Sequence, residues 1–472
     1  MSTLKVTFTN SSNTADDKVY IGFLKGKPLP GEPATGFDVK KISLLLRDGG
    51  VPPVVKLTPL DPLDPWSGTY PQQGNWYLLS DLKDGVEITS FSGRIYVSYG
   101  TPWTVVSNGY TPGQAVTDVN FWIRNDKMEM TFTGSASDVA NLTSIDFWSI
   151  PMTLKGYMNE SLVHTVNGLK TGVTAKSLHS KLTALTTPPV SGLPSIGGVD
   201  GDAIPAEVPG KYKLYPSGDA PSSDFVRVIG PSSYPPAFPS SAAGRPVMPY
   251  DTFGNYLDHL VKDFGPSTTV GAKINTLGKG TIAHIAGTFA GVGPSPTSND
   301  QKKQTYSLTA TIDADKNITL DGSGSVVGSI KMEIKQDDLR NPTGIYGGNA
   351  PYYLNGSSTS STPGNDIYGW ILGDLFSGLN IGAVGSETEI KAEKKKAGEL
   401  TSSEWFSKIP QDLHFSGLQS NPDHYNQYAA TLAANSDAYN FAYTDRFSPV
   451  FLTLNPATVN YMQVELLDDT VS

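Results

Sequence analysis

The residues best equipped for chemistry are two carboxylates in the stretch Met128 to Met152, MEMTFTGSASDVANLTSIDFWSIPM. Met128, Met130 and Phe132 alternate with Glu129, Thr131 and Thr133, the period of a half-buried β-strand, so Glu129 is expected to face away from the core. Gly134, Ser135, Ser137 and Asp138 supply turn chemistry, after which Leu142, Ser144, Asp146 and Trp148 share one face of the next run. If the two runs are antiparallel neighbours, Asp146 returns to about the level of Glu129 with an indole beside it. Two carboxyls flanking one bond of a substrate make a general acid/base device. The same spacing also fits solvated acids, or acids paired with Arg94 or Arg124.

The elements that must position this pair read as strands. KVTFTN, KVYIGFL, ISLLL, FSGRIYVSYG, VNFWIR, MEMTFT and LTSIDFWSIPMTL follow one another over residues 1 to about 160, broken by Gly, Pro, Asn and Asp. Residues 161 to 185 have mixed helical spacing, and 186 to 248 are rich in Pro, Ser and Gly, a composition suited to wrapping a surface. Asp251 is placed to cap a helix with the stripe Phe253, Tyr256, Leu257, Leu260, Val261 and Phe264, ended by Gly265. A second helix is predicted from Asp366 to Leu379, and a hairpin turning at Asp313 to Asn317 lies between the two. EIKAEKKKAGE reads as a solvated turn. The C-terminal stretch returns to strand pattern, which suggests that it rejoins the first domain. The expected division is 1–160 with 420–472 as a β-barrel or sandwich domain carrying the acids, and 161–419 as a mixed α/β domain.

The chain has 472 residues, of which 17% are charged, with 48 Gly and 35 Pro, a composition favouring many short strands and turns. The net charge of −10 argues against a nucleic-acid partner and leaves a neutral ligand as the better expectation. Seven Trp, 22 Tyr and 18 Phe suit stacking on sugar faces, although a core consumes most such residues. With no cysteine, disulfides and thiolate chemistry are excluded. The opening MSTLKVTFTNSSN lacks the pattern of a secretory leader, and no apolar run approaches the ~18 residues of a membrane helix.

FSGRIYVSYG, the EMTFT and SIDFWSIPM pair, and HYNQYAATLAANSDAYNFAYTD together resemble the thaumatin-like superfamily, and within it the family 64 glycoside hydrolases that cleave β-1,3-glucan. MPYDTFGNYLDHLVKDFG and SEWFSKIPQDLHF are similar to parts of the longer hydrolase. The resemblance implies a mainly β fold, a thaumatin-like β-barrel or sandwich plus a mixed α/β domain, with a wide groove between them. It implies an inverting endo-β-1,3-glucanase with Glu129 as general acid, Asp146 as general base and Arg94 close to the acids. Asn141 stands where the plant proteins carry a further cleft acid, and Thr444 precedes Asp445 where the family has an acid. Trp122 and Trp148 are candidate sugar platforms, with a core position as the alternative, and Tyr443 and Asp445 either line the groove or fix the C-terminal strand. The resemblance further implies a secreted monomer whose partner is a glucan, without a cofactor or metal. A non-catalytic glucan-binding or antifungal module of the same superfamily, or an adhesin-like sandwich, would keep the fold without the chemistry.

Inversion sets the carboxyls roughly 6.5–9.5 Å apart, wider than a direct cross-strand contact, so a staggered placement is expected. Other chemistries lack their residues. The six histidines show no HExxH or paired spacing, and there is no GxSxG. Asp313, Asp315 and Asn317 echo a calcium loop, but Ile318 and Gly324 stand where that loop needs Gly and Glu.

Overall fold

The computed structural model describes residues 2–25, 38–41, 58–59, 76–102, 120, 123–185, 198–200, 225–233, 253–267, 277–278, 280–293, 295–447 and 450–470. The predicted strand at 42–46, the cap at Asp251 and the indole of Trp122 lie outside them. The chain forms two compact units. One comprises Met1–Val247, Leu432–Tyr439 and Pro449–Ser472, and the other Met248–Thr431 and Asn440–Ser448.

Alternating burial builds the first unit. Leu4–Asn10 and Tyr461–Leu466 bury every second residue, so each offers one apolar face. They pair in parallel, Val6 opposite Met462 and Phe8 opposite Val464. Leu4–Asn10 also pairs antiparallel with Val86–Tyr99, and Tyr461–Leu466 with Met152–Met158, which continues to Ser161–Val166. On the other side, Val86–Tyr99 is followed by Asn125–Phe132, Val139–Leu142 and Phe451–Thr453. This last strand lies against Met152–Met158 and Ser161–Val166, the opposite end of the order, so the sheet curls into a nearly closed barrel. The closing contact is tight: a Cβ on Gly156 would come within 2.7 Å of Leu452.

The first unit runs on past residue 160, and the described parts of the chain beyond it are tied to the barrel. The helix Ala175–Thr183, with Thr174 and Ser177 forming a capping box, lies against Phe225–Ile229, and that strand pairs with Phe147–Trp148. Likewise, 420–431 and Asn440–Ser448 go with the second unit.

A buried ion pair fixes the end of the chain. Arg124, 1% exposed, reaches Asp469 through its two terminal guanidinium nitrogens at 2.6 and 2.7 Å, and donates to the Ser149 carbonyl at 3.1 Å. This occupies one of the two arginines considered as partners for the acids.

The second unit is built on a six-stranded antiparallel sheet running from Thr281–Phe289 through Gln304–Ile312, Ile318–Gly324, Gly328–Ile334 and Tyr352–Leu354 to Ser360–Ser361. The hairpin after Ile312 forms as expected, with Asp313 accepting from the backbone of Asp315 and Asn317 at 2.9 Å. The helix Ile367–Ile381, capped by Asp366, packs on Thr281–Phe289. Its Asp374 is buried and takes hydrogen bonds from Tyr306 at 2.5 Å and Ser402 at 2.8 Å, and an ion pair from Arg446 at 2.9 Å. Burial pushes the Asp374 pKa up, while Arg446 and the two hydroxyls oppose it. The helix Gly254–Phe264 buries Tyr256, Leu257, Leu260 and Phe264. Among the described residues, no helix is long and apolar enough to cross a membrane.

Arg124→Ala strands a buried carboxylate and is expected to cost the first unit about 3–5 kcal/mol in urea denaturation, with less lost when Asp469 is replaced by Leu at the same time.

Candidate active site

The outer face of three adjacent strands carries the site. Phe91, Ile95, Met128, Met130, Phe132, Ala140 and Leu142 are buried on one side of Val86–Tyr99, Asn125–Phe132 and Val139–Leu142, and this turns their neighbours outward. Directly opposed residues share a face, so register gives the rows. Arg94 stands opposite Glu129, and Glu129 opposite Asn141. On one side of this row are Ser92, Thr131 and Val139, with the Ser92 and Thr131 hydroxyls 3.1 Å apart. On the other, Lys127 opposes Tyr96, Tyr96 opposes Gly22, and Gly22 opposes Trp76. Trp76 is half-buried and covers Gly22 so closely that a Cβ there would lie 2.9 Å from its ring.

The turn expected between the two runs is present. Asp138 accepts from the backbone of Thr133, Gly134 and Ser135 at 2.7 to 2.8 Å, which fixes the register of Val139–Leu142 against Glu129.

Asp146 departs from the expected geometry. It does not continue the strand beside Glu129, since Val139–Leu142 ends and the chain bends before Phe147–Trp148 pairs with Phe225–Ile229 in another sheet. Gly230 donates from its backbone to the Asp146 carbonyl at 2.8 Å, an approach that needs glycine because a Cβ would sit 2.2 Å from the Ile145 carbonyl. Ser233 reaches the Asp146 carboxylate at 3.5 Å. On the far side, buried Asp126 accepts from the backbone of Ser149 at 2.8 Å and Ile150 at 3.0 Å. Burial pushes its pKa up to about 6 against the pull of Lys127 and the N–H donors.

Four charges gather on this face. Arg94 Nε lies 2.9 Å from Glu129 Oε1, and Lys127 Nζ lies 3.2 Å from Asp146 Oδ2. Lys127 is 2% exposed, with its ammonium 4.1 Å from the centre of the Phe147 ring, whereas Arg94, Glu129 and Asp146 are 39, 38 and 42% exposed. Lys127 is therefore buried, whereas Arg94 and both carboxylates are half-buried to a similar degree. Lys127 holds the Asp146 carboxyl below the usual range, burial opposes this, and Arg94 and Ser233 add to it. Burial works against the Arg94 charge, yet Tyr96, Glu129 and Asp146 together raise its pKa above the ordinary arginine value. Arg94 thus senses both acids.

The other predicted residues divide. Asn141 is in the Glu129 row, and its buried Oδ1 has no hydrogen-bond partner among the described residues. Trp148 is 2% exposed, so its indole packs in the core and offers no open stacking face. Tyr443 and Asp445 belong to the second unit, where Tyr443 donates to the Gly348 carbonyl at 3.1 Å and Asp445 is exposed. Lys127, Tyr96 and Trp76 carry no sequence signal of function. Lys127 follows the strand alternation that places Glu129, and that alternation was the available clue. Among the described residues no group of three or more His, Cys, Asp or Glu side chains has the arrangement of a metal site.

Residues 77–189, which include both acids, match the family model of the glycoside hydrolase family 64 β-1,3-glucanases. A laminaripentaose-producing β-1,3-glucanase crystallised with laminaritetraose shares the fold, at 15% identity and a TM-score of 0.50 over 99% of each chain. A family 64 β-1,3-glucanase domain from Clostridium beijerinckii aligns over 98% of each chain at 15% identity and a TM-score of 0.48. No curated protein matches the sequence significantly. What fold and site define is a barrel-based protein with two half-buried carboxylates, in a segment similar to the family 64 β-1,3-glucanase model.

Because the Asp146 pKa is depressed in the folded chain, its pair with Lys127 adds stability above the unfolded carboxylate value of about 3.9, and this is lost as pH falls through the lower folded value. In Lys127→Met the Asp146 midpoint should move up in a carboxyl ¹³C NMR titration, and the acid limb of the stability curve should flatten. An unmoved midpoint would show that Lys127 is not the source of the depression.

Proposed function

We propose that the protein hydrolyses β-1,3-glucan by an inverting, endo-acting mechanism with Glu129 as proton donor and Asp146 as the base that activates water. The observation that carries this reading is that, within the segment matched to the β-1,3-glucanases, two half-exposed carboxylates are paired with unlike cations, Glu129 with the half-exposed Arg94 and Asp146 with the buried Lys127. Asp146 is held ionised by a buried ammonium, as a base must be. Glu129 is on a strand held by its ladder, directly opposite Asn141.

The sequence of events follows from the charges. A glucan chain on this face displaces water around Glu129 and Arg94, and Glu129 gives its proton to the glycosidic oxygen as the bond breaks. Asp146 takes a proton from the water attacking the opposite side of the anomeric carbon, so configuration inverts. Trp76 supplies the stacking surface that Trp148, being buried, does not. A polymeric glucan is a substrate met outside the cell, and the proposal therefore includes a secreted protein.

One observation favours a second reading, a non-catalytic glucan-binding module of the thaumatin-like type. The Arg94 contact at 2.9 Å is made to the Glu129 carboxylate, and an acid catalyst must leave that contact to carry a proton.

The two readings separate on laminarin. Reducing-end release should fall by roughly 10²–10⁴-fold in both Glu129→Gln and Asp146→Asn. In the unmodified protein, the first product seen by ¹H NMR should be the α-anomer. Equal rates in parent and variants sink the assigned pair, and binding to curdlan with no hydrolysis favours the module.

A further inference from the structure

The second unit contains a cleft of about 510 Å³ that the acids of the first unit leave unexplained. That volume is within the roughly 300–1,000 Å³ of small-molecule sites. It is formed where the short hairpin Tyr352–Leu354 and Ser360–Ser361 ends the six-stranded sheet, against the start of the helix Ile367–Ile381. Tyr352 and Tyr368 stand in it with ring centres 6.4 Å apart and planes at 41°. Asp300, Asp366, Ser361 and Thr362 supply the polar lining.

The lining selects a ligand class. No Lys, Arg or His is among the described residues around the cleft, and burial together with the nearby Asp300 raises the Asp366 pKa, so the lining offers an anion no counter-charge. Asp366 Oδ1 is engaged by the backbone of Gly369 at 2.9 Å as the helix cap. Asp300 Oδ1 is shielded from solvent with no hydrogen-bond partner among the described residues, an acceptor awaiting a donor. Tyr352 is buried and backs the half-buried Tyr368, whose ring is the stacking face. Carboxylate acceptors, hydroxyls and one phenol ring are surfaces that take up a pyranose, whose equatorial hydroxyls donate and whose C–H face stacks.

We propose that this cleft is a carbohydrate-binding site for one or two pyranose units of a neutral oligosaccharide. That the sugar is part of a β-1,3-glucan rests on the proposed function; that it is a neutral sugar does not.

The test labels the whole chain with 3-fluorotyrosine in an Asp146→Asn background and assigns the Tyr368 resonance by Tyr368→Phe. Laminarihexaose, cellohexaose and xylohexaose are titrated in turn. A saturable shift of the Tyr368 signal with at least one of them is expected, weakened ~10-fold by Asp300→Asn, which keeps shape and removes charge. A Tyr368 signal unmoved by all three overturns the site, as does a shift that Asp300→Asn leaves at full affinity. The two proposals fail separately. A Tyr368 shift, with no laminarin cleavage by the protein that retains Asp146, sinks the hydrolase and keeps the cleft, whereas cleavage by that protein with no Tyr368 shift in the labelled variant does the reverse.

Discussion

Lys127 is a buried ammonium, and the outer face of the barrel is arranged around it. An unpaired charge with 2% exposure would cost several kcal/mol, so the fold must bring a carboxylate and an aromatic face to it. Asp146 and Phe147 answer that need together. The bend at Asp146, the pairing of Phe147–Trp148 with Phe225–Ile229 and the close approach of Gly230 all serve to hold that carboxylate there. The buried cation keeps the Asp146 carboxylate ionised from the inner side, and the carboxylate itself stays half-exposed.

The two carboxylates are held by different physics. Glu129 is placed by a β-ladder, whose register is rigid because a one-residue slip would turn Met128 and Met130 to solvent. Asp146 is placed at a junction between sheets by backbone contacts to Gly230 and by Asp126 on its other side. A ladder gives precision to one partner, and a junction lets the second be offset from it, away from the direct cross-strand pairing that Asn141 occupies. The second unit uses the same device, since buried Asp374 joins a sheet tyrosine, a helix serine and Arg446.

Much of the local structure was legible. The alternation at Met128–Phe132, the Asp138 turn, the hairpin at Asp313–Asn317 and the helix capped by Asp366 each depend on residues within a few positions of one another. Errors arose where partners were distant in sequence. Asp146 was expected on the strand next to Glu129, but residues about eighty positions later draw it out of the ladder. Trp148 shares Asp146's parity in the sequence and yet is buried, because the face of a strand depends on which sheet it joins.

The sequence by itself determined which side chains face outward on each strand, where the chain turns, and that thiol chemistry has no residue to perform it, because side-chain period and turn chemistry are local properties. Only the tertiary structure decided that Arg94 pairs with Glu129 and Lys127 with Asp146, and that Arg124 is committed to Asp469 at the end of the chain. Charge pairing is a property of proximity, and proximity between residues 94, 129 and 146 exists only once the barrel has set its strand order.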